Sequence, residues 1–286
     1  MGLTDEAIEK VRQLIISGEL GPGDRLPPEA ALAARLGLSR SSMREAAKAL
    51  VHARVLDVRR GDGTYVTSLE PRLLLEGIGF AVELMGEENL VDVIEVRRLL
   101  EPAASELAAV RIDEDGLFEL RTHLDRMRAA EDEAGSLVVH DVAFHERVAL
   151  ATGNETLASV LRGLATATVR ARTWRAAVEA NAARQTVAEH EDIYRALAAG
   201  DAHLARAVAL VHVDRSGSWL REQLRGGPPP RRGGGQAAAG NGSPARRGGV
   251  GHVRPAQSAQ SAGSVPGPSP AKPPRWRPAG RRPTGE

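Results

Sequence analysis

Apolar residues recur at helical spacing over most of the first 225 positions. Ala7, Ile8, Val11, Leu14 and Ile15 follow a three- and four-residue rhythm, which predicts an amphipathic helix that stops at Ser17-Gly18. Pro27-Pro28-Glu29 opens a second helix, with Leu32, Ala33 and Leu36 turned inward and Gly37 ending it. Ser39 is placed to cap a third helix over Ser39–Ala53, whose apolar face is Met43, Ala46, Ala47 and Leu50. Two short helices joined by a glycine-containing turn predict a helix-turn-helix. The rhythm then changes. Val55–Val58 and Thr64–Val66 are β-rich and flank Arg59-Arg60-Gly61-Asp62-Gly63, which predicts a hairpin with a basic, glycine-rich tip. Beyond Ser68–Pro71 the pattern is Ala/Leu-rich and helical as far as Leu224. It predicts about seven helices, with breaks at Gly86–Asn89, Ile112-Asp113, Gly135, Gly153-Asn154 and Gly200-Asp201.

Charge divides the chain further. Residues 226–286 hold ten Lys/Arg, one acid, 14 of the 30 Gly and 12 of the 17 Pro. A segment so poor in large apolar residues cannot offset its ordering entropy and is expected to be disordered. Its charges are scattered Arg pairs, so it is read as a passive extension; the alternative is a basic arm that binds nucleic acid non-specifically. The predicted fold is therefore mainly α. It comprises a winged helix-turn-helix over 1–68, an all-helical bundle over 69–225 and a disordered tail over 226–286. The absence of Cys excludes a disulfide framework, a thiolate zinc site and a cysteine nucleophile. No apolar run approaches the ~18 residues of a membrane span, so a cytoplasmic location is expected.

Seven basic residues lie between Arg35 and Arg60, against Glu45 and Asp57 alone. Arg40 and Arg44, four apart, project from one face of the third helix. Ser39, Ser41 and Ser42 crowd its N-terminus, where hydroxyls and backbone N–H groups suit phosphate, and Arg suits the guanine edge. Turn, cap, basic helix and basic wing agree on DNA, with Arg35, Ser39, Arg40, Ser41, Ser42, Arg44, Arg60 and Gly61 as the contacts.

A second constellation lies in the helical region. Asp141 and His145 are four apart on one helix face. His190 precedes Gly200 by ten residues and His212 follows it by twelve. If Gly200-Asp201 turns a helical hairpin, both stand about 15–18 Å from the turn, at nearly one height. One carboxylate and three imidazoles suit a divalent ion such as zinc, nickel, manganese or iron, zinc first. A lone histidine is more often a surface or satisfied core residue, and His123, His140 and His203 are read that way. A metal hydrolase using Glu146 or Glu191 as base would not need the basic helix-turn-helix, and no HExxH motif is present.

The motifs Gly23-Asp24-Arg25-Leu26-Pro27-Pro28-Glu29, Leu32–Arg40, Met43-Arg44-Glu45-Ala46 and Gly61–Val66 resemble the GntR superfamily of bacterial transcription regulators. The stretches Glu95–Glu101, Asp141–His145, Thr152-Gly153-Asn154 and Glu189-His190, with His212, resemble the FCD ligand-binding domain of its FadR branch. The extra helical stretch Pro71–Met85 suits the longer, seven-helix form of that domain. The resemblance implies a non-enzymatic regulator acting as a homodimer on a palindromic double-stranded operator. It implies operator contacts from Ser39, Arg40, Ser41, Ser42 and Arg44, and a wing glycine, Gly61, in the minor groove. It further implies metal ligation by Asp141, His145, His190 and His212, and a small carboxylate effector paired with Arg97, with Asn154 assigned to the same pocket. Repression relieved by a carboxylic or hydroxy acid is the expected mode; a metal-sensing regulator is the alternative. Two positions depart from the family pattern: Ala30 replaces a DNA-contacting Arg, and Arg54 replaces a Gly. The second predicts an altered turn with an added phosphate contact.

Overall fold

The computed structural model describes residues 2–85, 89–179 and 181–225; the tail assigned to 226–286 lies outside them. The first helices are α1 (Leu3–Ile16), α2 (Glu29–Leu36) and α3 (Arg40–His52). Their apolar stripes meet in one core, where Val11, Leu32, Met43, Ala46 and Leu50 are buried with Leu56 and Val66 of the hairpin. The turn between α2 and α3 depends on Gly37, whose φ of 68° lies in the left-handed region that a Cβ disfavours. Ser39 caps α3: its Oγ accepts from the Ser42 N–H at 3.0 Å.

Strands β1 (Leu56–Arg59) and β2 (Gly63–Val66) pair antiparallel, with Leu56 opposite Val66 and Arg59 opposite Gly63. Each is shifted by a residue or less from the sequence expectation. Arg25 bridges to Tyr65, so the chain before α2 lines the other edge of β2. The hairpin tip is tied by Tyr65, whose hydroxyl donates to Asp62 at 2.7 Å, and by the Arg59 guanidinium 4.0 Å above the Tyr65 ring.

Arg54 corrects an expectation. The turn before β1 keeps the left-handed geometry of a glycine, with Arg54 at φ 59°. Its side chain pairs with Glu76 at 2.8 Å rather than standing ready for a phosphate. Thr67 Oγ donates to the Arg54 carbonyl at 2.7 Å and holds the turn.

The remaining elements are α4 (Pro71–Leu74), α5 (Gly77–Leu84), α6 (Leu90–Ala109), α7 (Glu114–Ala129), α8 (Ala134–Ala151), α9 (Glu155–Val178), α10 (Ala182–Ala198) and α11 (Ala202–Arg225). Among the described residues there are thus eight helices here rather than about seven, because Pro71–Met85 divides into a single turn and a short helix. Gly135 is no break; it lies in the first turn of α8. The break between α9 and α10 carries neither Gly nor Pro, and Asn181 supplies its left-handed residue at φ 67°. Asp113 and Asp201 cap as expected, accepting from Gly116 N–H at 2.8 Å and Leu204 N–H at 2.9 Å.

The main core joins Leu120, Leu124 and Met127 of α7 to Phe144 of α8 and Ile193 and Leu197 of α10, all at most 2% exposed. Helix α11 packs along α6, and small residues such as Ala109, Ala205 and Ala209 allow the approach. That packing places the inner faces of α6, α8, α9, α10 and α11 around one cavity.

Candidate metal centre and nucleic-acid surface

Asp141, His145, His190 and His212 converge, each offering a donor atom within 4.8 Å of the others. The i,i+4 pair arrives on α8, and the hairpin of α10 and α11 brings His190 and His212 to one height. Asp141, His190 and His212 are buried, and His145 is nearly so.

The hydrogen bonds behind the rings decide their chemistry. His190 Nδ1 is 2.7 Å from the Thr186 carbonyl, which can only accept, so Nδ1 donates and the neutral tautomer would keep its lone pair on Nε2. His212 Nδ1 likewise faces Glu189 Oε2 at 2.7 Å. Glu189 stays ionised: burial would raise its carboxyl, but His212, Arg215 and Gln185 outweigh it and bring it down to about 2. His145 Nδ1 stands 3.4 Å from Glu101 Oε2. His190 and His212 are thus supported through Nδ1, leaving Nε2 for the centre, while the His145 ring stands beside Glu101 without a hydrogen bond to it.

Burial pushes the His145 imidazole down to about 4 and lowers His212 as well, so both are neutral at pH 7. Asp141 is held well below the usual carboxylate range. Burial opposes its ionisation, and the Arg172 guanidinium, with His145 and His190 beside it, overcomes it. His190 Nε2 lies 3.0 Å from Asp141 Oδ1. Neither His190 Nε2 nor His145 Nε2 has a hydrogen-bond partner, although both are buried. Orphaned acceptors around a carboxylate fit a cation. The donors are nitrogen and oxygen alone, which suits zinc, nickel, manganese or iron.

The cavity beside these residues is also lined by Arg97, Thr168, Arg172, Arg175 and Trp219. Arg97 is 2% exposed and already engaged, donating to Glu101 and, at 3.1 Å, to Thr168 Oγ. Arg172 pairs through Nη1 with Asp141 Oδ2, while its buried Nη2 has no partner. Sequence reasoning missed Arg172, Glu101, Thr186 and Glu189. Asn154 is not brought to this cavity. It is exposed and caps α9, accepting from Leu157 N–H at 3.1 Å.

The basic surface belongs to α3 and the wing. Arg40, Arg44, Arg60, Ser41 and Gly61 are exposed, and among the described residues no ion pair engages the three arginines. Arg35 sits apart on α2 and pairs with Glu19. Ser42 is 7% exposed and its Oγ lies 2.8 Å from Ser39 Oγ, so it serves the cap rather than an outside ligand.

These two constellations, on a winged helix-turn-helix and a helical bundle, define a DNA-binding regulator with an internal ligand cavity. Residues 3–66 match the family described as "Bacterial regulatory proteins, gntR family", and residues 92–215 match the FCD domain. The chain is 34% identical over 205 residues to the HTH-type transcriptional regulator LutR of Bacillus subtilis, covering 70% of this chain and 93% of LutR. It is 28% identical over 224 residues to the galactonate operon transcriptional repressor of Escherichia coli, covering 77% and 97%. Among solved structures, the Streptococcus agalactiae GntR superposes with a TM-score of 0.52 at 28% identity, covering 76% of this chain and 99% of that one. The chain belongs to the GntR family, in the branch carrying an FCD domain. Its family and relatives are transcription regulators, not enzymes. No helix among the described residues is long and apolar enough to cross a membrane.

Proposed function

We propose that this protein represses transcription from a palindromic operator and is released by a small carboxylic or hydroxy acid held in the FCD cavity. The observation that carries the proposal is the pairing of orphaned acceptors with an open donor: His145 Nε2, His190 Nε2 and Arg172 Nη2 are all buried and unpartnered at one site. Asp141, His145, His190 and His212 would hold a divalent ion, zinc first. Such an ion, when bound, supplies coordination positions for a carboxylate or hydroxyl oxygen. Arg172 supplies the charged fork, and Arg97 stands behind it, already held by Glu101. The names of two relatives, a galactonate operon repressor and a putative L-lactate dehydrogenase operon regulatory protein of Escherichia coli, support an acid as effector.

On the DNA side, Arg40, Arg44 and Ser41 are the proposed major-groove contacts, with Ser39 fixing the helix end and Gly61 and Arg60 at the minor groove. A homodimer would present two such heads, and the acid would shift the population between operator-competent and incompetent arrangements.

Fluorescence anisotropy on DNA upstream of the protein's own gene tests this, with zinc-loaded and metal-stripped protein and a panel that includes L-lactate and D-galactonate. Release of the loaded protein by an acid is expected. A response to metal removal alone would make the ion the signal. Binding without sequence preference at moderate salt would reject the specific-regulator reading.

A further inference from the structure

His123 and His140 look like isolated histidines along the chain, and the packing of α7 against α8 brings them together. The two helices form a hairpin joined by residues 130–133. His123 lies six residues before Ala129, the end of α7, and His140 lies six residues after Ala134, the start of α8. The antiparallel arms therefore carry both rings to one height. Their Nδ1 atoms stand 3.4 Å apart, with the ring centroids 5.6 Å apart and the planes tilted by 39°. Successive helical residues point roughly 100° apart, so His140 leaves α8 toward α7 while Asp141 faces the cavity. Neither His123 nor His140 lines that cavity.

Two Nδ1 atoms that face each other cannot both carry a proton along the same line, so at least one ring offers a lone pair. The separation is long for a hydrogen bond, and it is the only one either ring makes among the described residues. It suits a shared ion better. An ion at about 2.0–2.1 Å from each nitrogen would subtend about 110° between them, close to the tetrahedral angle. Both side chains are half-buried, so the remaining positions are open to water. Glu119 and Glu146 act on the His123 ring, but Arg147 and Arg162 hold them. Arg126 also acts on it, so this pair should hold an ion more weakly than the four-donor centre.

We infer that His123 and His140 form a second metal site, distinct from the centre at Asp141, which takes a divalent transition ion of the zinc, nickel or copper class and clips α7 to α8. Because α8 also presents Asp141 and His145, an ion here would fix the helix on which the first centre is built.

Isothermal titration of the metal-stripped full chain with zinc at pH 7.5 tests it. His123→Gln and His140→Gln should each remove one equivalent of zinc, or weaken it at least about tenfold, and leave the rest. His203→Gln, at an exposed histidine, should remove none. His145→Ala should remove a different equivalent, so failure of the Asp141 centre and failure of this pair read apart. In the unaltered chain, zinc saturation should protect His123 and His140 together from diethyl pyrocarbonate, read by peptide mass, and leave His52 and His203 reactive. Equal stoichiometry and affinity in the parent and both glutamine variants would overturn the inference, as would unchanged modification of the two rings at zinc saturation.

Discussion

Arg54 shows how a single residue can keep a turn while departing from the residue type that favours it. At φ 59° it occupies a conformation that costs a side-chain-bearing residue about 1 kcal/mol relative to glycine. Its ion pair with Glu76 is more than half exposed on both sides, a setting in which such pairs contribute about 0–1 kcal/mol. Arg54→Gly should therefore stabilise the fold by up to about 1 kcal/mol in urea unfolding; a loss would show that the link to Glu76 outweighs the strain. The convergence of Asp141, His145, His190 and His212 was legible because helical spacing is arithmetic: Asp141 and His145 are one turn apart, and His190 and His212 straddle Gly200 almost symmetrically. Arg172 was not legible. Its partner lies 31 positions away, and an arginine in an Ala-rich helix resembles any solvated surface charge until α8 and α9 are packed.

Helix α9 carries Thr168, Arg172 and Arg175 to the cavity, and its opposite end of influence is α5. The two helices meet at Gly79 and Gly163, where a Cβ on Gly163 would stand 2.8 Å from Ile78 Cγ2 and 3.1 Å from the Gly79 nitrogen. The second contact is backbone and cannot swing aside. Gly163→Ala should lower stability by about 1–3 kcal/mol in thermal unfolding, despite the better helix propensity of alanine. An unchanged melting temperature would mean the two helices separate freely. At this scale the sequence was informative wherever a cap or glycine marked an end, as at Gly37, Asp113 and Gly200. Between α9 and α10 the break carries no glycine or proline, and Asn181, a residue that tolerates the left-handed region, makes the turn.

For the whole molecule, the buried ionisable groups set an acid limit. His145 is neutral in the fold down to about 4, against 6.5 when solvated, and Glu101 falls to about 2 because Arg97, His145 and Arg172 outweigh burial. The unfolded chain thus binds more protons than the folded one, first on histidines below about 6.5 and then on carboxylates below about 4.5. Stability present at neutral pH should be lost progressively as pH falls through 4 toward 2. Zinc should raise the melting temperature at pH 7.5, and that increment should vanish near pH 4 as protons displace the ion. Scanning calorimetry across this range checks both; a zinc-independent melting temperature at pH 7.5 would reject the metal centre. The donor set has one more consequence. With three imidazoles, one carboxylate and no cysteine anywhere in the chain, neither peroxide nor the cellular glutathione pool finds a thiolate to oxidise or exchange. Under the proposed function, the response of a zinc-loaded protein to its effector would not depend on the state of the surrounding thiols.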